Sequence, residues 1–122
     1  MTTSIATSPA ARITAEVTSW PGVAAATGSR GERSFRVGGR EIGHLHGDRV
    51  AHFGFPRSVW RDLMDAGRIV RHPIGHDGWG ARPIAGPEDE ADVIALLRLN
   101  YERAIRGRVP GGETGGAGTL DA

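Results

Sequence analysis

The segment REIGHLHGD, residues 40–48, places an arginine, a glutamate and two histidines close together and ends in a Gly-Asp turn. It follows Gly38-Gly39, a dipeptide typical of two-residue β-hairpin loops. Residues 34–37 before it and residues 49–55 after it have the alternation and the β-branched or aromatic content of strands. This part of the chain therefore predicts a three-stranded antiparallel meander, with the quoted segment as its middle strand.

The side chains of this middle strand are predicted to alternate between two faces of a sheet, as in any extended chain. Ile42, His44 and His46 would then point one way, and Glu41 would point the other way. A β-bulge near Gly43 would return Glu41 to the face that carries the two histidines.

Three segments outside the meander carry the signals of amphipathic helices. Helix starts are predicted at Ser8-Pro9, at Pro56 and at Gly86-Pro87, where three acidic residues follow the proline. Gly67 and Gly107 are placed to end the second and third helices. The residues predicted to face the core are Ile13, Val17, Trp20, Val59, Trp60, Leu63, Met64, Val93, Ile94, Leu97, Tyr101, Ala104 and Ile105.

Two shorter strands are predicted at residues 68–72 and 79–84. The second of them ends at Pro83, and because proline cannot donate a hydrogen bond to a neighbouring strand, we predict that this strand lies at a sheet edge. The pattern as a whole predicts an α+β fold, an antiparallel sheet of about five to six strands with three helices packed on it.

The length of the chain, 122 residues, suits one domain. We predict a single α+β domain over residues 9–107. Residues 1–8 are mostly small and polar, and residues 108–122 are rich in glycine with little apolar content. Both ends are therefore predicted to be disordered.

The composition excludes several classes of function. The chain has no cysteine, which excludes thiol nucleophiles, disulfides and cysteine-bound metals. All 15 basic residues are arginine, so lysine Schiff-base chemistry is excluded. The net charge of +1 does not favour nucleic-acid binding. With no long apolar run and no signal-peptide pattern, we expect a soluble cytoplasmic protein that has neither a membrane nor a nucleic acid as its partner.

The histidine pair of the middle strand is the first candidate for chemistry. His44 and His46 lie two residues apart and can both reach one bound species, a common arrangement for two metal ligands. His72 or His76 would supply a third ligand from across the sheet. The pair can instead act in acid–base catalysis, with Glu41 orienting one imidazole.

Other polar residues near the pair leave further alternatives open. Asp48 is a second candidate to orient an imidazole, and Arg40 can bind an anionic group of a substrate. His52 shares strand parity with Val50, so it is half-buried or faces the same side as the pair. The plainest alternative is that all of these are half-exposed side chains with no special role, because a His-X-His pattern is not specific by itself.

The remaining candidates lie between the second and third helices. His72 precedes Pro73 at a strand end, where a scaffold often presents functional side chains. We expect His76 to be exposed in its glycine-flanked loop. Trp79 forms the wall of a ligand pocket or belongs to the core. The chain contains no Gly-X-Ser-X-Gly elbow, phosphate loop or dinucleotide fingerprint.

Four motifs follow one another along the chain: REIGHLH at residues 40–46, RHPI at residues 71–74, a strand that starts at Trp79, and a helix with an acidic start that ends near Tyr101. Together they resemble the luciferase-domain family. This family includes the luciferase of bioluminescent fungi and many small bacterial proteins. The fungal enzyme has a similar Arg-Glu-Ile-X-His-X-His run and a later Arg-His-Pro, and the resemblance covers roughly residues 36–104.

The resemblance implies an enzyme that adds oxygen to an enolic substrate, since the fungal relative acts on the hydroxylated pyrone 3-hydroxyhispidin. It implies no flavin or other organic cofactor, and a metal ion could act as a Lewis acid. The positions that match the family's active site are Glu41, His44, His46 and His72. The loop from His72 to Trp79 is shorter than in the fungal enzyme, so light emission is not expected.

We therefore predict an oxygenase that acts on an enolic or phenolic, pyrone-like small molecule. Its predicted catalytic residues are Glu41, His44, His46 and His72, and its predicted substrate-binding residues are Arg40 and Trp79. No organic cofactor is expected, and a metal ion is possible. Two alternatives stay open: a non-catalytic module that binds a small molecule or a partner on the same sheet face, and a histidine-ligated metal protein.

Overall fold

The computed structural model describes residues 8–107, which form three helices and six strands. The helices are α1 (Pro9–Val17), α2 (Arg57–Asp65) and α3 (Pro87–Arg106), and the strands are β1 (Val23–Thr27), β2 (Arg33–Val37), β3 (Arg40–His46), β4 (Val50–Gly54), β5 (Val70–Arg71) and β6 (Trp79–Pro83). The disorder predicted for residues 1–8 and 108–122 lies outside the described residues, apart from Ser8, which caps α1.

The six strands form one antiparallel sheet in the order β1-β2-β3-β4-β6-β5. The predicted α+β fold is confirmed, but the prediction that β6 lies at an edge is wrong. β6 pairs with β4 on one side and with β5 on the other. The proline is tolerated because β5 reaches only Gly80 and Ala81, so Pro83 lies beyond the end of β5 and faces β4 alone, opposite Val50.

The helix ends follow the predicted signals. The Ser8 hydroxyl accepts a hydrogen bond from the backbone N–H of Ala11, which caps α1, and proline occupies the first turn. α2 ends in a Schellman motif, in which the N–H of Gly67 bonds to the carbonyl of Met64 and the N–H of Arg68 bonds to that of Leu63. Gly67 has a φ of +74°, a conformation in which glycine carries no steric cost.

The buried stripe of α3 is wider than the sequence pattern predicted. Its buried residues are Val93, Leu96, Leu97, Asn100, Tyr101 and Ala104. Ile105, which was predicted to join this stripe, is 37% exposed. One helical residue turns the side chain by about 100°, so Ile105 leaves the face on which Ala104 is buried. Among residues 8–107, no helix is long and apolar enough to cross a membrane.

The core lies between the helices and one face of the sheet. The inward-facing strand residues form one cluster with the apolar residues of α1, α2 and α3. These strand residues are Phe35, Val37, Ile42, Leu45, Ala51 and Phe53, all nearly inaccessible to solvent. Trp20, Trp60 and Tyr101 are buried as predicted. The opposite face of β3 and β4 is half-buried and carries the histidines.

A β-bulge in β3 decides which of its side chains reach this opposite face. Phe35 of β2 pairs with Gly43, but the next residue, Arg36, pairs with Glu41, so Ile42 is an extra residue in β3. The predicted bulge near Gly43 is therefore present, and Glu41 returns to the face of His44. The prediction that Ile42 shares the histidine face is wrong, because the bulge turns it into the core, where it is 1% exposed.

Gly43 is predicted to be essential for this bulge, since a Cβ at this position would lie 2.6 Å from Leu97 Cδ2 and 3.1 Å from Phe53 Cδ2. We expect Gly43→Ala to lower the free energy of unfolding by about 1–3 kcal/mol, because the core must shift to admit the methyl group. Gly54→Ala on the neighbouring strand is the matched control, because a Cβ there meets nothing within 4 Å. Urea denaturation measures both variants, and equal losses would contradict the steric explanation.

Candidate functional site

The histidine face is assembled by the strand register. His44 on β3 pairs directly with His52 on β4, and His46 pairs with Val50, so the three imidazoles project from the same face. On the other side of β4, His52 pairs with Ala81 of β6, a residue with a very small side chain. The ring of His72, which directly follows β5, approaches His52 across this position with a centroid distance of 4.2 Å.

The four imidazoles form a contiguous group, which we call the histidine cluster: His44, His46, His52 and His72. Ring centroids lie 4.9 Å apart for His44 and His46, 4.6 Å for His46 and His52, and 5.3 Å for His44 and His52. The cluster lines an open cleft of about 530 Å³ that also includes Ser29, Arg30, Glu32, Pro73 and Ile74. The predicted catalytic histidines thus lie together, but they are linked through His52, which was not among them.

Three members of the cluster have the spacing of metal ligands. One ring nitrogen from each of His44, His46 and His52 lies within 4.8 Å of the other two. The geometry offers His52 as a third ligand, and the suggestion that His72 or His76 fills this place stays a prediction. The hairpin register supplies His52 directly opposite His44, whereas His76 is exposed in its loop, as expected.

His72 is held in an orientation that suits a hydrogen-bond donor better than a metal ligand. The backbone N–H of Ile74 donates to its Nδ1 at 3.2 Å. In the neutral imidazole the proton then resides on Nε2. Gly75 lies against this ring, and a Cβ on Gly75 would come within 2.9 Å of the His72 Cβ. The loop therefore packs on His72 and restricts its ring.

Glu41 orients His44. Its Oε2 lies 2.6 Å from His44 Nδ1, and since a carboxylate only accepts, Nδ1 carries the proton and donates. The lone pair of His44 Nε2 is then available to a metal or to a substrate proton. Arg36 lies 3.8 Å from the other carboxylate oxygen. A carboxylate behind a histidine is the usual means of fixing the tautomer of a ligand or a base.

Asp48, the alternative partner for the histidines, has a different role. Its Oδ1 accepts a hydrogen bond from the backbone N–H of Ala10 at 2.9 Å, in the first turn of α1. The Asp48 carboxylate therefore stabilises the start of a helix, where negative charge is favourable.

Burial keeps the interior imidazoles neutral. Burial, reinforced by the neighbouring rings of His72, His46 and His44, lowers the pKa of His52 to about 4. Burial also lowers the pKa of His46, with His44 as the next cause. Both residues are therefore uncharged near pH 7, which is the form in which an imidazole binds a metal ion.

Glu32 is a carboxylate near the cluster that the sequence did not reveal, because it lies in a turn-rich loop without a motif. It lines the same cleft. Hydrogen bonds from backbone N–H groups, first its own and then that of Arg30, lower the pKa of Glu32, and the proximity of His44 and His46 lowers it further. Glu32 therefore contributes negative charge at the mouth of the cleft.

The two predicted substrate-binding residues lie in a second cavity. Arg40 and Trp79 line a space of about 370 Å³ at the end of the sheet where β3 and β6 begin and β4 ends. Trp79 is 42% exposed, so its assignment to a pocket wall is consistent with the structure and the core alternative is wrong. Its ring lies 6.0 Å from that of His72. Glu41 lines this cavity too, and so it lies between the two spaces.

Asn100 is a second site residue that the sequence does not reveal. It lines the same cavity and is 6% exposed. Its Nδ2 donates to the carbonyls of Ile42 at 3.2 Å and Gly54 at 3.0 Å. The sequence signal that could have identified Asn100 is its position in the apolar stripe of α3. It lies four residues after Leu96 and three after Leu97, so a polar residue interrupts the apolar pattern.

Comparison with known families shows the family to which the chain belongs. A model described as the luciferase domain matches residues 39–100, from the start of β3 to Asn100. The chain belongs to the luciferase-domain family. The match includes all four members of the histidine cluster, which confirms the resemblance inferred from the motifs. The searches of curated proteins and of solved structures gave no significant match.

The low pKa of His52 predicts how stability depends on pH. Between pH 6.5, the ordinary pKa, and about 4, the unfolded chain binds a proton at His52 that the folded protein does not bind. The free energy of unfolding therefore falls as the pH is lowered through this window, by an amount on the order of 1–2 kcal/mol after allowance for solvent screening.

Urea unfolding at pH 7 and pH 4.5, with EDTA present, measures this loss. His52→Gln is the comparison variant, because it removes the titrating group at a half-buried position. The free energy of unfolding of this variant should fall less between the two pH values than that of the wild type. An equal fall would contradict the assignment of the pH dependence to His52.

Proposed function

We propose that the protein is a metal-assisted oxygenase of small enolic or phenolic compounds and that His44, His46 and His52 hold its metal ion. The observation that carries the proposal is the convergence of three ring nitrogens within 4.8 Å on the open face of the sheet. Membership of the luciferase-domain family supports the oxygen chemistry.

The donor set suits a borderline transition-metal ion. Three imidazoles without a thiolate favour Zn²⁺, Cu²⁺ or Fe²⁺ over Mg²⁺ or Ca²⁺, which prefer oxygen ligands. Three protein ligands also leave a coordination position open for a substrate, as catalytic sites require. The Glu41 carboxylate on His44 Nδ1 supplies the outer hydrogen bond that ligating histidines usually have.

The proposed reaction begins with loss of the enolic or phenolic proton. A cation held by His44, His46 and His52 would lower the pKa of a substrate hydroxyl beside it, so that the hydroxyl would release its proton to solvent. The electron-rich anion then forms a carbon–oxygen bond with molecular oxygen. Two electrons pass from the substrate to oxygen, which leaves a peroxide anion on the product.

His72 is the residue proposed to stabilise this developing negative charge. Its Nε2–H is free to donate because Nδ1 is already engaged by the Ile74 N–H. Its ring contacts His52 at 4.2 Å, so the donor lies beside the proposed metal ligands. A donor placed where charge develops stabilises a transition state without first having to reorganise.

A cofactor-free oxygenase is the second candidate, and the Glu41–His44 contact favours it. With Nδ1–H bonded to the carboxylate, the lone pair of His44 Nε2 can act as a general base toward the enolic proton. The two candidates differ in what the cluster binds, so metal analysis separates them.

Metal binding is predicted at one ion per chain. Titration of EDTA-treated protein with Zn²⁺, followed by calorimetry, should show this stoichiometry. His46→Ala should weaken binding roughly 100-fold, and Glu41→Gln about tenfold, because the latter removes only the outer hydrogen bond. His76→Ala, at an exposed histidine outside the cluster, is the matched control. Wild-type affinity in His46→Ala would overturn the proposed ligand set.

Oxygen uptake tests the catalytic part of the proposal. Metal-loaded protein should consume oxygen in the presence of members of a panel of hydroxypyrones and catechols. We expect His72→Gln to lower the rate about 100-fold and to leave the affinity for Zn²⁺ unchanged, because His72 donates to the reacting oxygen and does not bind the ion. His76→Gln should keep the wild-type rate. Uptake that is unaffected in His72→Gln would exclude the proposed role of His72.

A further inference from the structure

The open face of the sheet, which carries the histidine cluster, has almost no charge. Strand pairing and alternation place one set of strand residues on this face, opposite the face that packs on the helices. They are Ala24, Ala26, Ser34, Arg36, Glu41, His44, His46, Val50, His52, Gly54, Val70, Trp79, Ala81 and Pro83. Only Arg36 and Glu41 in this set carry a formal charge, and they form an ion pair at 3.8 Å.

Other charged residues of the strands point toward the helices instead. Arg82 of β6 reaches Asp89 of α3 at 2.6 Å, and Arg71 of β5 lies over the ring of Trp60 of α2. The solvent-facing side of an antiparallel sheet is usually polar, so the distribution here is the reverse of the usual one. A neutral face also disfavours a nucleic acid or an anionic membrane as its partner, because both are bound through basic surfaces.

Large apolar side chains are exposed on and beside the open face. Among residues 8–107, four large hydrophobic side chains are exposed, and three of them belong to this region. Val70 and Trp79 project from the face and are 50% and 42% exposed, and Ile74, which lines the histidine cleft, is 84% exposed. The fourth, Ile105, lies on α3. Apolar groups gathered on one uncharged surface are typical of an interaction site.

We propose that a second copy of this chain docks on the open face, so that two sheets pack face to face and each copy covers the histidine cluster of the other. A neutral face meets its own copy without like-charge repulsion, and a two-fold contact is the commonest symmetry of soluble oligomers. His44, His46 and His52 occupy β3 and β4, the two middle strands of the sheet, so a sheet laid on this face lies over the cleft.

The consequence for the histidine cluster is enclosure. In one chain the cleft of about 530 Å³ is open to solvent on the sheet face. A second sheet excludes water from the cleft, and electrostatic interactions between a bound molecule and the imidazoles strengthen when water is excluded. The inference goes beyond the proposed oxygenase function and requires no metal ion.

The area of the face determines how strong this contact is. The sheet has six strands, most of them five residues long. At about 4.8 Å between strands and about 3.3 Å per residue, the face covers roughly 500 Å². Two such faces bury about 1,000 Å² in total, the lower limit for a specific interface. We therefore expect a reversible dimer with a Kd on the order of 10–100 µM and not a permanent one.

Sedimentation velocity of the EDTA-treated full chain, from about 5 to 500 µM, measures this association. The weight-average mass should rise from 12.9 kDa toward twice that value. Val70→Glu should weaken the dimer at least tenfold, because the contact would bury a carboxylate without a partner. Ile105→Glu makes the same change at an exposed apolar residue on the helical side, so it is the matched control and should dimerise as the wild type does.

Histidine modification by diethyl pyrocarbonate tests whether the contact covers the cluster. His76, exposed in its loop, is the internal reference. Tandem mass spectrometry gives the ratio of modified His46 to modified His76 in the same sample. This ratio should fall at least threefold between the dilute and the concentrated protein, and it should stay constant in Val70→Glu, which remains monomeric.

Four outcomes would overturn the inference. They are a monomer over the whole concentration range, a dimer that Val70→Glu leaves intact, a dimer in which His46 is not protected, and a monomer that binds vesicles of neutral phosphatidylcholine through this face. The last outcome would identify a membrane as the occupant. All of these measurements are made without metal or substrate, so the Zn²⁺ titrations and the oxygen uptake still test the proposed oxygenase function separately.

Discussion

One extra residue in β3, Ile42, determines which side chains of this domain are buried and which meet on the open face of the sheet. With regular alternation from His44, Glu41 would point into the core, and an unpaired carboxylate there would cost several kcal/mol. The bulge instead buries Ile42 and places the Glu41 carboxylate 2.6 Å from His44. The same local irregularity thus supports the packing of the core and the orientation of the first imidazole of the cluster.

Two of the three buried polar atoms without partners, among residues 8–107, belong to residues that line the two candidate sites. Among residues 8–107, the buried side-chain atoms without a hydrogen-bond partner are His52 Nδ1, Arg82 Nε and Asn100 Oδ1. His52 belongs to the histidine cluster, and Asn100 lines the second cavity. Such groups reduce the stability of a folded chain, so they are expected where a protein keeps a position ready for something that it binds.

Local signals in the sequence predicted most of the fold. The Ser8-Pro9 cap, Gly67 and the hairpin loop at Gly38-Gly39 each depend on the conformation of a few neighbouring residues, and such preferences can be read without knowing the rest of the chain. Two motifs were also sufficient to identify the family. They are Arg40 to His46 in β3 and the later Arg71-His72-Pro73, and the family match confirms the resemblance that they carry.

What the sequence did not predict depends on pairing between distant segments. His52 joins the cluster because the β3–β4 register sets it opposite His44, and the position of β6 depends on how far β5 extends. Asn100 was missed because a polar residue in an apolar stripe is explained only by the two carbonyls that it meets, which come from β3 and β4. The second cavity is formed by three strand ends that are separated in the chain.

The unequal edges of the sheet have a consequence for association between molecules. β5 offers an incoming strand only two residues of backbone, and Pro83, just beyond its reach on β6, has no N–H to donate. At the other edge, β1 runs for five residues, from Val23 to Thr27, without a charged side chain. Because strand addition needs a continuous row of backbone donors and acceptors, β1 is the edge that residues 8–107 leave open to extension by another chain.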